Sequence, residues 1–503
     1  MTETRPLVLD VDGTFLCTDM LLESLWAALG RDPRATLAAC FTKLTNPAAL
    51  KAELARIADL RTDLLPVNAG VMAEVTRAQA EGREVVLASA SDESLVKRLA
   101  ADHGLSERVF ASDGATNLKG ARKAKALVAA FGEGGFDYAG NAPVDRPIWA
   151  RAHAALVVGD TGSARRLEAA GTPVTRIDGG GSPRALLKAL RPHQWVKNVL
   201  LFVPLIAAHE FTAWPWLVTL LGMLAFSLAA SSIYVVNDLV DLEADRLHAT
   251  KCRRPFASGA VPLPVGMAAG VIAGAVALLI AGLIGAGFLA VVALYMALSL
   301  AYSLRLKRLR WIDIATLAAL YTLRVMAGAI ASGVPISGYL LVFIYPAFIT
   351  LGAVKRLTEL TLATSDERLP GRGYGRPDRE DLLNVAVLGM VWALLAFFGY
   401  SFTDHAVELY PTRWLMWVAL VPIFWWLFRM IRMGWQGRQD YDPIVFAMRD
   451  KRGIGILLIA LAIMFQAAGL WRAWRPTRRF RPACSPSSSG WHAGPWISSA
   501  WWR

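Results

Sequence analysis

Asn237 to Gly259 reads N-D-L-V-D-L-E-A-D-R-L-H-A-T-K-C-R-R-P-F-A-S-G and follows a long apolar run that begins near Trp214. At about 100° of turn per residue, Asp238, Asp241 and Asp245 fall within an arc of roughly 60°, so a helix aims all three carboxylates the same way. Carboxylates at the end of a membrane helix are costly without partners. A divalent cation such as Mg²⁺ is a fitting one, because it takes oxygen ligands and shares them with substrate phosphates. Lys251, Arg253 and Arg254 stand just beyond, where they can take the remaining phosphate oxygens. Acids or bases alone at this position would mark only a solvated loop that orients the span. Together they read as a Mg²⁺-diphosphate site at a membrane surface.

The pattern N-D-x-x-D-x-x-x-D followed by K-x-x-R-P-x-A-S-G resembles the first aspartate-rich motif of the UbiA superfamily of membrane prenyltransferases. The resemblance implies that Asn237, Asp238, Asp241 and Asp245 form the metal and diphosphate site, with Asp238 and Asp241 carrying the chemistry. It also implies that Lys251 and Arg254 contact phosphate.

Outward from this stretch the chain divides. Its 503 residues suggest more than one domain, and a 55% hydrophobic composition points to a membrane protein. Ordinary soluble alternation runs to about Asn198, and from there to about Trp474 nearly every segment is apolar enough to cross a bilayer. A net charge of +13 raises the question of nucleic acid, but much of the Lys and Arg sits in short loops between apolar runs, which reads as a topology signal instead. Cys17, Cys40, Cys252 and Cys484 have no paired spacing and speak against a disulfide framework or a zinc site. No basic region followed by an apolar core opens the chain, so the first domain is expected in the cytosol.

That first domain opens on a strand candidate, Pro6 to Val11, ending in Asp10-Val11-Asp12-Gly13-Thr14. Carboxylates two positions apart at a strand end point the same way, and Gly13 lets the chain turn sharply. One acid can attack a phosphoryl group while the other handles the proton. The stretch resembles motif I of the haloacid dehalogenase (HAD) superfamily, which implies Asp10 as nucleophile and Asp12 as acid/base. Downstream, Glu84 to Ala88 reads as a buried strand ending at Ser89, the family's phosphate-binding hydroxyl. Lys123 stands where the family has its phosphate-neutralising lysine, with Lys119 and Lys125 as rivals. Phe136 to Gly140 gives another strand tip, followed by Asn141 and Asp145, close to the family's G-D-x-x-x-D metal motif. The implied metal ligands are Asp10, Asp12 and Asp145. Asn141 stands where an aspartate is usual and brings an oxygen but no charge. Cys17 to Asn68 is mostly helical in pattern, with amphipathic runs around Leu21 to Leu29 and Lys51 to Leu60, as suits a cap.

The expected architecture is therefore a HAD-like, Rossmannoid α/β domain with a helical cap over residues 1–178, a linker with an interfacial helix over 179–190, an all-α UbiA-like membrane domain over 191–474, and a tail, 475–503, read as disordered. Nine spans are expected, near 198–213, 214–237, 263–284, 287–304, 311–332, 338–360, 382–402, 413–434 and 453–474. Basic residues cluster after the second, fourth, sixth and eighth, so the positive-inside rule puts those loops and the first domain in the cytosol of a multi-pass inner-membrane protein.

Arg191-Pro-His-Gln-Trp-Val-Lys197-Asn198 looks like the opening signature of one UbiA branch, the decaprenyl-phosphate phosphoribosyltransferases of cell-wall arabinan synthesis. Tyr302-Ser303 with Lys307, then Asp313, Arg324 and Gly328, resembles the branch's second conserved region. Asp313 is the remaining metal candidate, and Leu317 replaces the second acid most members carry. Arg324 lies deep in an apolar helix, where a helix-packing salt bridge competes with a polar site as its explanation, and the latter is favoured. Lys355-Arg356 with Glu359, and Arg372-Gly373-Tyr374, match the branch as phosphate or ribose contacts. The substrate contacts expected are thus Ser89, Lys123, Lys197, Asn237, Lys251, Arg254, Tyr302, Lys307, Arg324, Lys355 and Arg356. Asp442-Pro443 and Arg449-Asp450 fit the branch without a derivable role.

Two chemistries use the same aspartates. A prenyl group leaves an allylic diphosphate for an aromatic ring, or phosphoribosyl pyrophosphate loses pyrophosphate to a polyprenyl phosphate. The resemblance over 191 to 452 favours the second, with an isoprenoid lipid, a diphosphate-bearing co-substrate and Mg²⁺ as partners. A transporter is disfavoured because its coupling residues belong near the bilayer midplane, whereas these acids cluster at one face. The first domain reads either as a phosphatase acting on the product or as a regulatory module. Nothing in the sequence fixes oligomeric state.

Overall fold

In the computed structural model, the structure describes residues 5–113, 116–335, 337–363, 368, 373–439 and 442–470. Arg372 and the tail after residue 474 lie outside them. Six parallel strands form the first half: β1 (Leu7–Asp10), β2 (Val85–Asp92), β3 (Val109–Ser112), β4 (Asp137–Gly140), β5 (Ala154–Val158) and β6 (Val174–Ile177), in the order β3-β2-β1-β4-β5-β6. Apolar residues run without interruption along β1 because both faces are covered. Leu7 and Leu9 point into a core shared with the helices of residues 20–80, while Val8 points into one shared with Ala124, Leu127 and Trp149. The strand order reverses between β1 and β4, and a crevice outside the carboxyl ends of those two strands is where doubly wound sheets bind ligands. Asp10 ends β1 and Gly140 ends β4. The segment after β1 folds as three helices, Met20–Arg31, Pro33–Lys43 and Pro47–Ala58, each with a side-chain N-cap from Asp19, Asp32 or Asn46.

Among the described residues, seven helices of the second half are long and apolar enough to cross a membrane: Ala213–Val240, Leu263–Ile284, Ala286–Leu304, Ile312–Ser332, Gly338–Thr361, the helical stretch Arg376–Tyr400 and Arg413–Trp435. The other two expected spans differ. The first is a 3-10 stretch, Pro192–Phe202, followed by five α-helical residues, Val203–Ala207. The last is a helix of 17 residues, Lys451–Ala467. Both end at the connection before Arg413–Trp435, where Tyr410 Oη donates to the Ala207 carbonyl and the Thr412 amide donates to Ala467. The irregular first segment has a packing cause. Gly328 lets it press so close that a Cβ there would sit 1.9 Å from the Leu201 carbonyl oxygen. Ile312–Ser332 is the central helix, with 78% of its span window buried against 28% for several neighbours.

The halves meet at the aspartate-rich stretch. Leu22 and Trp26 pack on Val235, Leu239 and Phe256. The short helix Pro183–Ala189, within the stretch expected as linker and interfacial helix, joins the same cluster through Ala185, Leu186 and the buried Ala189. A buried ion pair pins the contact: Arg246 donates to both Glu23 oxygens at 2.6 and 3.0 Å, and Thr18 donates to Glu23 from the other side.

Candidate functional site

The carboxyl end of the sheet gathers the first set of polar groups. Lys123, 3% exposed, donates to Asp10 at 2.6 Å and contacts Tyr138 Oη at 3.2 Å, and Tyr138 donates to Asp145 at 3.1 Å. Asp12 accepts from the Met20 amide at 2.7 Å and from Ser91 and Ser89 at 2.9 and 3.3 Å. Lys119 and Lys125 are exposed. Burial first, then the charges of Asp19 and Asp10, push the Asp12 carboxyl up to about 6. Burial and then Asp10 do the same to Asp145, also to about 6. Burial alone would depress the Lys123 ammonium, but Asp10 and Asp145 outweigh it and hold it above its usual value.

Two buried carboxylates, Asp10 and Asp145, and the partly buried Asp12 therefore gather near one buried lysine, a deficit that a hard divalent cation would relieve, and this donor chemistry fits Mg²⁺. Asn141 enters by its backbone, whose amide donates to Asp145. Its side chain abuts Gly13, whose φ of +72° and a would-be Cβ at 2.2 Å from Asn141 Nδ2 both require glycine there. Tyr138 and Ser91 escaped the sequence reading. Each lies two positions from a residue that was found, Gly140 or Ser89, and thus on the same strand face.

At the membrane mouth the expected single helix is interrupted at Asp241, between Ala213–Val240 and Leu242–Leu247. The i to i−4 bonds from Asp241 to Asn237 and from Asp245 to Asp241 continue across it, at 3.0 and 2.8 Å. The three carboxylates do not all converge. One Arg254 nitrogen bridges Asp238 and Asp245, at 3.1 and 2.6 Å, whereas Asp241 turns to Lys307, at 3.1 and 3.0 Å. Arg191, which opens the branch signature and adopts the left-handed conformation, also bonds Asp238. Asn237 is half-buried, and Lys251 is exposed on the short 3-10 turn Lys251–Arg253. Burial pushes the Asp245 carboxyl up despite Arg254.

Among the described residues no three His, Cys, Asp or Glu side chains gather as a cage for an ion. Mg²⁺ at a phosphate site needs only one or two carboxylates beside the substrate's own oxygens, so Asp238 and Asp241 still suit it. Arg191, Arg254 and Lys307 now hold those carboxylates.

Two further clusters lie inside the bundle. Asp313, fully buried, is clamped by both Nε and Nη2 of Arg356 and by Tyr302 Oη at 2.9 Å, and Arg356 also reaches Glu359 at 2.6 Å. That closed ion pair occupies the carboxylate expected to bind metal. Arg324, 4% exposed, donates to Asn198, to the Leu320 carbonyl and to Tyr295 Oη, at 2.9, 2.6 and 2.9 Å. No carboxylate pairs with it among the described residues, so the salt-bridge explanation fails. Lys197 bonds Asp442 Oδ2 at 2.5 Å, and Lys355 lies 3.9 Å from the same oxygen. Burial works to raise the Asp442 carboxyl, but Lys197 and Lys355 win and hold it well below the usual carboxylate range.

The UbiA prenyltransferase family profile matches residues 199–363, which include the Asp238 mouth, Asp313 and Arg324. The uncharacterized protein y4nM of Sinorhizobium fredii is 35% identical over 472 residues, covering 91% of this chain and 90% of its own. A decaprenyl-phosphate phosphoribosyltransferase of Corynebacterium glutamicum is 33% identical over 252 residues, 47% of this chain and 73% of its own. A solved structure titled a UbiA homolog from Archaeoglobus fulgidus bound to GPP and Mg²⁺ aligns at 17% identity and a TM-score of 0.42, over 57% of this chain and 99% of its own. With seven apolar spanning helices and these sequence relatives, this integral membrane protein belongs to the UbiA prenyltransferase family.

Proposed function

We propose that the membrane half transfers phosphoribose from phosphoribosyl pyrophosphate to a polyprenyl phosphate, and that the α/β half, a HAD-type phosphatase, removes the 5-phosphate from that product. The observation carrying the first step is the 33% identity to a decaprenyl-phosphate phosphoribosyltransferase across 73% of that protein's length. Asp238 and Asp241 would hold Mg²⁺, whose charge and Lewis acidity stabilise a departing diphosphate. Arg191, Arg254 and Lys307 exchange their carboxylate partners for diphosphate oxygens as that charge develops. The apolar helices hold the isoprenoid.

For the second step, Asp10 attacks phosphorus while Lys123 holds a phosphoryl oxygen and Ser89 another. The bond from phosphorus to the ribose oxygen breaks, Asp12 delivers the proton to that oxygen, and water then releases phosphate from Asp10. Asp12 suits the acid role because burial and neighbouring acids favour its protonated form. Both sites belong on the cytosolic face of the inner membrane. In otherwise cysteine-free protein, a cysteine at Ser258 should label from the cytosolic side and one at Ser337 from the other.

The second reading, prenyl transfer from a polyprenyl diphosphate to an aromatic acceptor with a regulatory α/β half, draws on Asn141. Membranes given labelled phosphoribosyl pyrophosphate with polyprenyl phosphate, and separately a prenyl diphosphate with an aromatic acid, decide between them. Label entering lipid in the first mixture alone is the expected result.

A further inference from the structure

The helices that follow β1 send a cation into the crevice at the end of the sheet. Lys51, half-buried on the helix Pro47–Ala58, donates to the Ala90 carbonyl at 2.5 Å and lies 3.4 Å from Asn117 Oδ1. Both acceptors are neutral, and among the described residues no carboxylate forms an ion pair with it. The Ala90 carbonyl is a shared acceptor besides, since the Ser112 hydroxyl donates to it at 2.8 Å. Burial lowers the Lys51 ammonium below its usual value. The charges of Asp12 and Asp19 act against that shift, and those of Lys119 and Lys123 act with it. A cation thus sits beside the site with neutral partners and like-charged neighbours, an arrangement that an oxyanion would improve.

Ala90 fixes where that ammonium stands. It lies between Ser89 and Ser91, whose hydroxyls both donate to Asp12, at 3.3 and 2.9 Å. Asp12 also takes the amide of Met20, the first residue of the helical segment to which Lys51 belongs. Lys123, by contrast, is bound to Asp10. Lys51 is therefore grouped with the acid that serves the leaving oxygen, and Lys123 with the acid that meets phosphorus.

We propose that Lys51 is a specificity-determining residue that receives an anionic group on the leaving-group part of the substrate, so that the α/β half selects phosphomonoesters bearing a second negative group. In the lipid product that group is the phosphodiester between ribose and isoprenoid, whose single charge one lysine balances. A plain sugar phosphate offers Lys51 nothing in its place. Hydrogen bonds to an oxyanion are stronger than those to neutral carbonyls, so Lys51 gains by leaving Ala90 and Asn117 for the diester. The assignment rests on the phosphatase reading for its reaction and adds to it the class of substrate.

The test uses purified full-length protein in lipid nanodiscs with Mg²⁺ and two soluble ribose 5-phosphates. One carries a methyl group on the anomeric oxygen, the other a methyl phosphodiester there, and release of the 5-phosphate gives kcat/KM for each. Wild type should favour the diester at least about tenfold, the scale of one charge-assisted contact. Lys51→Met, which keeps a good helix former, should lose that advantage mainly through KM for the diester and bring the two substrates within about twofold of each other. Lys51→Arg should keep most of the preference. A lysine that only latches the helices to the strand tip behaves differently: Lys51→Met would slow both substrates alike and preserve their ratio, and that result overturns the proposal. Equal hydrolysis of both by wild type also overturns it, while the phosphatase reading stands. If wild type hydrolyses neither, calorimetric binding of the same two compounds decides. A Lys51-dependent preference for the diester then supports the subsite and removes the phosphatase reading, and equal binding removes both.

Discussion

The polar sites of the two halves are opposite in sign. At the end of the sheet Asp10, Asp12 and Asp145 gather near one buried lysine, whereas inside the bundle two lysines share Asp442 and Arg324 has no carboxylate partner among the described residues. A third cluster, in which Asp313, Arg356 and Glu359 meet with Tyr302, brings together acids and base without such a surplus of cations. The difference separates structure from function. A paired cluster needs nothing further, while an imbalance held out of water is stable only if something of the opposite sign comes to it. The first site is thus suited to a cation and the second to an anion. The aspartate-rich mouth differs from both, its carboxylates being held by Arg191, Arg254 and Lys307.

The paired cluster should break hardest. Arg356→Met removes the buried cation that pairs with Asp313, and such losses run to about 3–5 kcal/mol, so thermal unfolding in detergent should show a large drop whatever ligand is present. Wild-type unfolding would mean that Asp313 is not buried as a charge. At the mouth, Asp238→Asn with Asp241→Asn should cut lipid transfer by about 10²-fold or more while the proposed phosphatase activity of the α/β half on a soluble phosphate ester stays unchanged. Equal loss of both activities would show that the two sites are not separate. For the acid-rich site, Mg²⁺ should raise the unfolding temperature, and Asp145→Asn should remove most of that gain. An Mg²⁺ effect untouched by the substitution would place the ion elsewhere. The smallest effect concerns the junction: Glu23→Gln keeps a hydrogen-bonding partner for Arg246 but loses its charge, at a cost of about 1–3 kcal/mol. Limited proteolysis between the halves should then speed up, and unchanged cleavage would show that the pair does not hold them together.

Much of this was legible in the chain. Apolar run length marked seven spanning helices, and the strand tips at Asp10, Ser89 and Gly140 fell where the sheet brings them together. What the residues hid was long-range pairing. Periodicity puts Asp238, Asp241 and Asp245 on one arc, but it is silent about Arg191, 47 positions before Asp238, and Lys307, 66 after Asp241, which decide where those carboxylates turn. It is equally silent about Asp442, which meets Lys197 and Lys355 only in the folded bundle. Apolar composition alone does not reveal the irregular form of the first expected span, nor the close backbone approach that Gly328 admits. Pro183–Ala189 reads as amphipathic with or without a membrane, so only the fold shows which apolar surface it covers.

The central claim is that one chain makes a phosphorylated lipid and then dephosphorylates it. Wild type and Asp10→Asn should be given phosphoribosyl pyrophosphate, polyprenyl phosphate and excess Mg²⁺, and the lipids and inorganic phosphate followed over time. The account predicts that wild type proceeds to the dephosphorylated lipid with release of phosphate, whereas Asp10→Asn accumulates the 5-phosphorylated lipid and stops. Accumulation of the same phosphorylated lipid by both proteins would contradict it.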